Sequence, residues 1–260
     1  MKIIVLVKQV PDTYEERKLD STTGILDRGA SDPIIDESGE RALEVALRYK
    51  DSHKETDVVL LSMGPTSVTA ALRKGLSLGA DSAVHVLDDA LAGADLSRTS
   101  AALAAALARS GYDLIIAGNE STDGRGGVIP AMVAEHLRLP HLTFLDSVEI
   151  SDDRVSGVRG TDNGSLRVHA SLPAVISITE RSPEVRFPNF KGILSAKKKP
   201  LTVVSLNDLG IVPDTLFASL GYSVIVSTTE RPARTAGTKI VDEGNAGVEL
   251  ADFLAAGHLI

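Results

Sequence analysis

The chain has 260 residues, no cysteine, no tryptophan, aromatics at 3% and a formal net charge of −8. Lacking cysteine, it can form no disulfide, thiolate nucleophile or iron–sulfur ligation of its own, so any redox chemistry must come from a bound cofactor. The acidic balance argues against general nucleic-acid binding, and no apolar run approaches the roughly 18 residues of a membrane span.

Hydrophobic residues make up 43% of the chain, enough for one large domain with extensions. Met1 to Lys8 meets charge at once and reads as a first strand rather than a signal peptide, with a cytoplasmic location as the expectation. Strands are expected at Ile3–Val7, Asp57–Ser62, Ser82–Leu87 and Asp113–Ala117. Between them, helical periodicity runs over Glu40–Tyr49, Thr66–Leu78 and Leu96–Ser110, the last capped by Asp95 or Ser97; Pro130–Leu137 follows. Continuous apolar strands separated by helices predict a doubly wound, mostly parallel α/β sheet. After Thr143 the pattern changes to hairpin-like strands at Ser147–Ile150, Arg154–Arg159 and Ser165–Ala170, then an apolar run at Ala174–Thr179. Arg181 to Pro200 reads as a polar, basic loop, and Leu201–Ser205 as a last strand. Thr228–Gly247 has the composition of an extended arm, and Val248–Ala256 that of a short terminal helix.

Three loops follow expected strands and open expected helices. The longest is Gly118-Asn119-Glu120-Ser121-Thr122-Asp123-Gly124-Arg125-Gly126-Gly127-Val128-Ile129, with Pro130 suited to the first turn of the next helix. Here Gly126, Gly127 and Val128 offer N–H groups to a phosphate, Ser121, Thr122 and Arg125 add side-chain donors, and Asp123 fixes the loop or meets a ribose. The other two are Leu6-Val7-Lys8-Gln9-Val10-Pro11-Asp12 and Ser62-Met63-Gly64-Pro65-Thr66. Together they would line a crevice at the carboxyl edge of the sheet. An ordinary strand–helix turn also carries glycine, and the long loop matches neither the P-loop nor G-x-G-x-x-G.

A second candidate is Arg186 to Leu194 with Ala196-Lys197-Lys198-Lys199. Phe187, Phe190 and Ile193 ringed by lysines have the composition of a docking element, although both rings folding into the core is the plainer alternative. Six histidines, at 53, 85, 136, 141, 169 and 258, show no metal-ligand spacing. No nucleophile elbow appears, and no self-sufficient catalytic centre is expected.

The chain resembles the beta subunit of electron transfer flavoproteins over essentially its whole length. The resemblance rests on an ordered series of segments: V-L-V-K-Q-V-P-D at Val5–Asp12, E-R-A-L-E-V-A-L-R-Y-K at Glu40–Lys50, L-S-M-G-P at Leu61–Pro65 and L-R-K-G-L-S-L-G-A-D at Leu72–Asp81. The series continues with A-G-N-E-S-T-D-G at Ala117–Gly124, L-P-A-V-I-S at Leu172–Ser177, E-V-R-F-P at Glu184–Pro188, A-K-K-K at Ala196–Lys199 and R-P-A-R-T-A-G at Arg231–Gly237. It implies a universal-stress-protein-like adenine-nucleotide-binding domain over 1–205, with a recognition loop at 184–199. It also implies a C-terminal arm over 206–260 that packs on an alpha subunit holding most of the FAD site.

A structural AMP would contact Leu6, Asp36, Glu37, Ser38, Gly39, Met63 and the run Gly118 to Ile129. The recognition loop would anchor flavin dehydrogenases such as acyl-CoA dehydrogenases through Phe190, with a quinone-linked oxidoreductase downstream. Pro11–Tyr14 would stand near the flavin. Two departures stand out: Glu120 replaces a frequent glutamine, and Asp36-Glu37 replaces a frequent Asn-Pro. Both acidic groups are expected at the adenine or ribose end, or turned away. Alternatives are an electron-bifurcating member with a second FAD in place of AMP, and a stand-alone nucleotide-binding regulator.

Overall fold

The structure, a computed structural model, describes residues 1–212, 223, 225–229 and 231–260. In chain order the first half runs β1 (Lys2–Leu6), β2 (Gln9–Pro11), β3 (Pro33–Ile35), α1 (Glu37–Ser52), β4 (Asp57–Met63), α2 (Val68–Leu78), β5 (Ser82–Val86), α3 (Leu96–Ser110) and β6 (Leu114–Gly118). The second half runs α4 (Ile129–Leu137), β7 (His141–Ile150), β8 (Arg154–Thr161), β9 (Gly164–Ser171), β10 (Ala174–Ile178), α5 (Phe190–Ala196), β11 (Leu201–Val204) and α6 (Ala246–Ala256).

One nine-stranded sheet has the order β11-β5-β4-β1-β6-β10-β7-β8-β9. From β11 to β7 every neighbouring pair is parallel. Strands β8 and β9 add an antiparallel edge. The doubly wound, mostly parallel α/β fold with a hairpin region is therefore the fold observed. Alternation along β1 explains why it is covered on both sides. Ile3 and Val5 join Leu43 and Leu47 of α1 and Leu72 and Leu76 of α2 in one core layer. Ile4 and Leu6 join Leu103 and Leu107 of α3 and Val133 of α4 in the other. Each fully buried Ile or Leu is worth roughly 1.5–3 kcal/mol, so neither layer is dispensable.

The chain winds outward from β1 through β4 to β5. Helix α3, on the opposite face, then returns it to β6 on the other side of β1. Adjacent parallel strands whose connections leave in opposite directions form a topological switch point, and a crevice opens at their carboxyl ends. The loops after β1 and β6 meet there.

Three elements differ from expectation. Strand β7 begins at His141, not Ser147, because a bulge breaks its two-residue alternation: Leu142 and Leu145 pair with Ile176 and Ile178, so Thr143 and Phe144 together oppose Ser177 alone. The short antiparallel pair β2–β3 was not expected, since strands of three residues carry no readable period. Helix α5 lies inside the segment expected to be loop; Asn189 caps it, its side chain accepting from Gly192 N–H at 2.7 Å.

Contact grouping divides the chain into Met1–Val226 and Ser227–Ile260. Part of the expected arm, residues 213–222, 224 and 230, lies outside the described residues. Within the second unit, 231–242 has no regular structure, and α6 buries none of its residues. No helix among the described residues is long and apolar enough to cross a membrane.

Candidate functional site

The glycine-rich loop is held by buried acids. Asp36, 1% exposed, is the N-cap of α1. One carboxylate oxygen accepts from Ser38 N–H at 3.1 Å and lies 2.7 Å from Ser38 Oγ. The other accepts from Thr122 N–H and Thr122 Oγ1, both at 2.7 Å. The same carboxylate thus starts a helix and ties the loop to it across 86 residues of sequence. Ser38 Oγ also lies 2.9 Å from Glu120 O, and its single proton serves one acceptor at a time. Gly118 permits this contact, because a Cβ there would sit 2.2 Å from Ser38 Oγ and 2.9 Å from Ser38 carbonyl carbon.

Asp123 is the second latch. Its side chain is 1% exposed and accepts from Lys8 Nζ and Arg28 Nη2, both at 2.8 Å. Burial alone would raise its pKa, but hydrogen bonds from Lys8, Ser121 and Arg28 and the Lys8 charge outweigh it and hold the carboxyl well below the usual carboxylate range. Arg17 donates to Thr122 O, to Thr122 Oγ1 at 2.9 Å and to Pro11 O at 3.1 Å. Arg17 and Arg28 carried no local signal in the sequence, and Lys8 was legible only as part of the loop after β1, since each acts on residues roughly a hundred positions away.

Latched in this way, the loop turns through Arg125 (φ 47°) and Gly127 (φ 65°) into α4. Arg125 N–H donates to Ser121 O at 2.9 Å, whereas the N–H groups of Gly126, Gly127 and Val128 donate to no described residue. Helix α4 begins without acidic residues in its first turn and without a side-chain cap. Free N–H groups at the positive end of a helix dipole make an anion-accepting edge. The loop after β4 is tied to the loop after β1: Gln9 Nε2 donates to Ser67 O at 2.9 Å, and Ser67 Oγ to Gln9 Oε1 at 2.8 Å. His85, fully buried, sits with Nε2 2.9 Å from Gly64 O, a structural role.

The candidate residues therefore fall into groups. Leu6, Asp36, Ser38 and Gly118 to Asp123 come together at the switch point. Met63 ends β4 and packs against the α3/α4 core layer. Gly39 packs on Val7, and Asn119 N–H donates to Ile178 O at 2.8 Å. Glu37 turns instead to Arg41, with Oε1 2.7 Å from Nη2. Asp36 spends both oxygens on backbone and hydroxyl donors, and Glu120 Oε1 lies 3.9 Å from Arg125 Nη1.

Phe144 was not singled out by the sequence. Its residue lies in the bulge of β7 at φ 58°, its N–H donates to Ser177 Oγ at 3.0 Å, and it is 39% exposed. A bulky side chain in this left-handed region costs about 1–3 kcal/mol.

At the other candidate surface, Arg186 clamps the chain to α1. It donates to the Glu44 carboxylate at 2.9, 3.1 and 3.1 Å through Nε, N and Nη2, and to Asp51 at 2.8 Å. Burial alone would raise the Glu44 pKa, but Arg186 outweighs it and keeps the carboxyl low. Beyond the clamp, Phe187 is 95% and Phe190 77% exposed, with Ile193 and Leu194 also exposed. The rings do not fold into the core. Lys197 and Lys198 are exposed beside them. Lys199 turns inward, its ammonium donating to Leu76 O at 3.0 Å and Ala80 O at 2.5 Å at the end of α2. Among the described residues no cluster of His, Cys, Asp or Glu is suited to a metal ion.

The family model of the electron transfer flavoprotein domain matches residues 23–209. An electron transfer flavoprotein subunit beta of Mycobacterium tuberculosis is 47% identical, covering 99% of each chain. One of Thermoanaerobacterium thermosaccharolyticum is 32% identical over the full length of both chains. The caffeyl-CoA reductase-Etf complex subunit CarD of Acetobacterium woodii is 31% identical over 92% of each. Full-length coverage sets aside the stand-alone regulator reading, and the chain belongs to the electron transfer flavoprotein family as a beta subunit.

Proposed function

We propose that this beta subunit pairs with an alpha subunit that holds most of the FAD, and that it binds one AMP on the Gly118–Ile129 loop as a structural ligand. The observation that carries the nucleotide reading is the row of free N–H groups at Gly126, Gly127 and Val128, on a loop latched at the switch point by Asp36 and Asp123. Both acids are occupied by internal donors, so neither presents an unpaired carboxylate to a phosphate. The residues present fit the ligand: Ser121 and Arg125 stand at the loop, and Leu6, Ser38 and Met63 lie on the strand ends and helix start around it.

Bound FAD supplies the electron acceptor and donor chemistry that a chain without cysteine lacks. This chain contributes position. The latched 12–32 segment carries Tyr14, 98% exposed, as part of one wall of the flavin site. The Arg186 clamp holds Phe187, Phe190 and Ile193 outward as an anchor for dehydrogenases such as acyl-CoA dehydrogenases, with Lys197 and Lys198 at its rim. Of the arm expected over 206–260, Leu206 and Ile211 are buried in the domain's own core, so the part that packs on the alpha subunit lies beyond them; exposed Val248, Leu250 and Phe253 of α6 supply apolar contact. Electrons leave toward a quinone-linked oxidoreductase, in the cytoplasm.

The test is to purify the chain natively with its partner, denature the complex and chromatograph what is released. One FAD and one AMP per complex support the reading. Two flavins and no AMP would replace it with the bifurcating form, and no adenine nucleotide besides FAD would refute the AMP assignment.

A further inference from the structure

The exposed anchor of the docking segment rests on little buried surface. Helix α5 has seven residues, well short of the roughly 12–15 that hold a helix in water by themselves. Of these only Ala196 is buried. Phe190, Ile193 and Leu194 are all exposed. Contacts other than apolar burial must therefore hold this helix in place.

Those contacts are crossed caps between α5 and α2. Arg73 of α2 donates through Nη1 to Ala196 O and Lys199 O, both at 2.7 Å, where α5 ends. Lys199, just past α5, returns its ammonium to Leu76 O and Ala80 O, where α2 ends. Each cation thus lies at the negative end of the other helix, where the last turn leaves carbonyls without helical partners. The two helices come closest at Gly192. A Cβ there would collide with Ser77 O, a backbone atom that cannot swing aside, so glycine permits the approach. Lys197 and Lys198, by contrast, are exposed.

We propose that Arg73 and Lys199 are positioning residues for dehydrogenase docking: their crossed caps hold α5 in one orientation on α2, so that Phe190, Ile193 and Leu194 are ordered before the partner arrives. The proposal rests on the docking reading above and divides the three lysines by role. Lys197 and Lys198 meet the partner as charges, whereas Lys199 acts through α5. An anchor ordered beforehand loses less freedom on binding. Rim charges act on encounter and are screened by salt, whereas caps held inside the fold are screened much less.

The test is steady-state electron transfer from an acyl-CoA dehydrogenase at low and high salt, with the intact alpha–beta flavoprotein as the varied substrate. Arg73→Met and Lys199→Met are expected to raise KM for the flavoprotein about five- to ten-fold, the cost of ordering one or two anchor side chains on binding. Their kcat and flavin content should hold, and the rise should persist at high salt. Gly192→Ala removes no charge but moves α5 off Ser77, so it should raise KM in the same way. These three variants alter different residues of one contact, so the test survives poor folding of any one of them. The Arg73→Met/Lys199→Met pair should raise KM by less than the product of the single effects, because both act on one helix. Lys197→Met and Lys198→Met should raise KM at low salt and approach wild type at high salt. A Lys199→Met effect that fades with salt as theirs does would overturn the proposal and make Lys199 a rim charge. So would an unchanged KM in Arg73→Met and Gly192→Ala while Phe190→Ala raises it. If Phe190→Ala also leaves KM unchanged, the docking reading falls and the proposal with it.

Discussion

Asp36→Ala removes a carboxylate that accepts from Ser38 and Thr122 on opposite oxygens. Loss of the α1 cap costs about 1 kcal/mol. Leaving the Thr122 N–H without an acceptor adds about 1–3 kcal/mol. The sum, about 2–4 kcal/mol, lowers Tm by about 4–16 °C for a chain of this size. Asp36→Asn keeps one acceptor oxygen and presents an NH₂ where the other stood, so it satisfies Ser38 or Thr122 but not both. It should lie between wild type and Asp36→Ala. Urea and thermal denaturation measure both variants, and nucleotide retention should fall in the same order because the loop is tied through Thr122. An Asp36→Ala protein within about 0.5 kcal/mol of wild type would refute the latch.

Gly118→Ala places a methyl 2.2 Å from Ser38 Oγ and 2.9 Å from backbone; overpacking should cost about 1–3 kcal/mol, read as a lowered urea midpoint. Asp123 has a depressed native pKa, so its stabilisation is present above the unfolded value near 4 and is lost as pH falls toward the native one. The stability gap between wild type and Asp123→Asn should therefore shrink by about 1 kcal/mol from pH 5 to pH 3; a gap independent of pH would contradict the ion pairs as its origin. Phe190→Ala, at a position 77% exposed, should change stability by less than about 0.5 kcal/mol and leave flavin content intact, while slowing electron transfer from an acyl-CoA dehydrogenase. Unchanged rates with a competent donor would remove the ring from docking.

Much of this protein is local physics. The continuous apolar runs of β1, β4 and β6 and the periodic faces of α1 to α3 are short-range patterns, and they specify a parallel α/β sheet without reference to distant residues. The glycine-rich loop is legible for the same reason, as is the apolar–basic composition around Phe190. Other features exist only when remote segments meet. Strand β10 lies between β6 and β7, an order no single segment encodes. The bulge that exposes Phe144 depends on its pairing with Ser177. Whether Phe187 and Phe190 face inward or outward was open in composition; the Arg186 clamp onto Glu44 and Asp51, more than 130 residues away, turns them out. Lys199 reads as one of three equivalent lysines, yet it alone reaches the carbonyls ending α2. In the sequence Asp36 looks like a liability beside a phosphate site, and Asp123 reads as fixing the loop or meeting a ribose. Folded, each is surrounded by donors drawn from across the chain, and burial makes those long-range bonds strong enough to hold the loop.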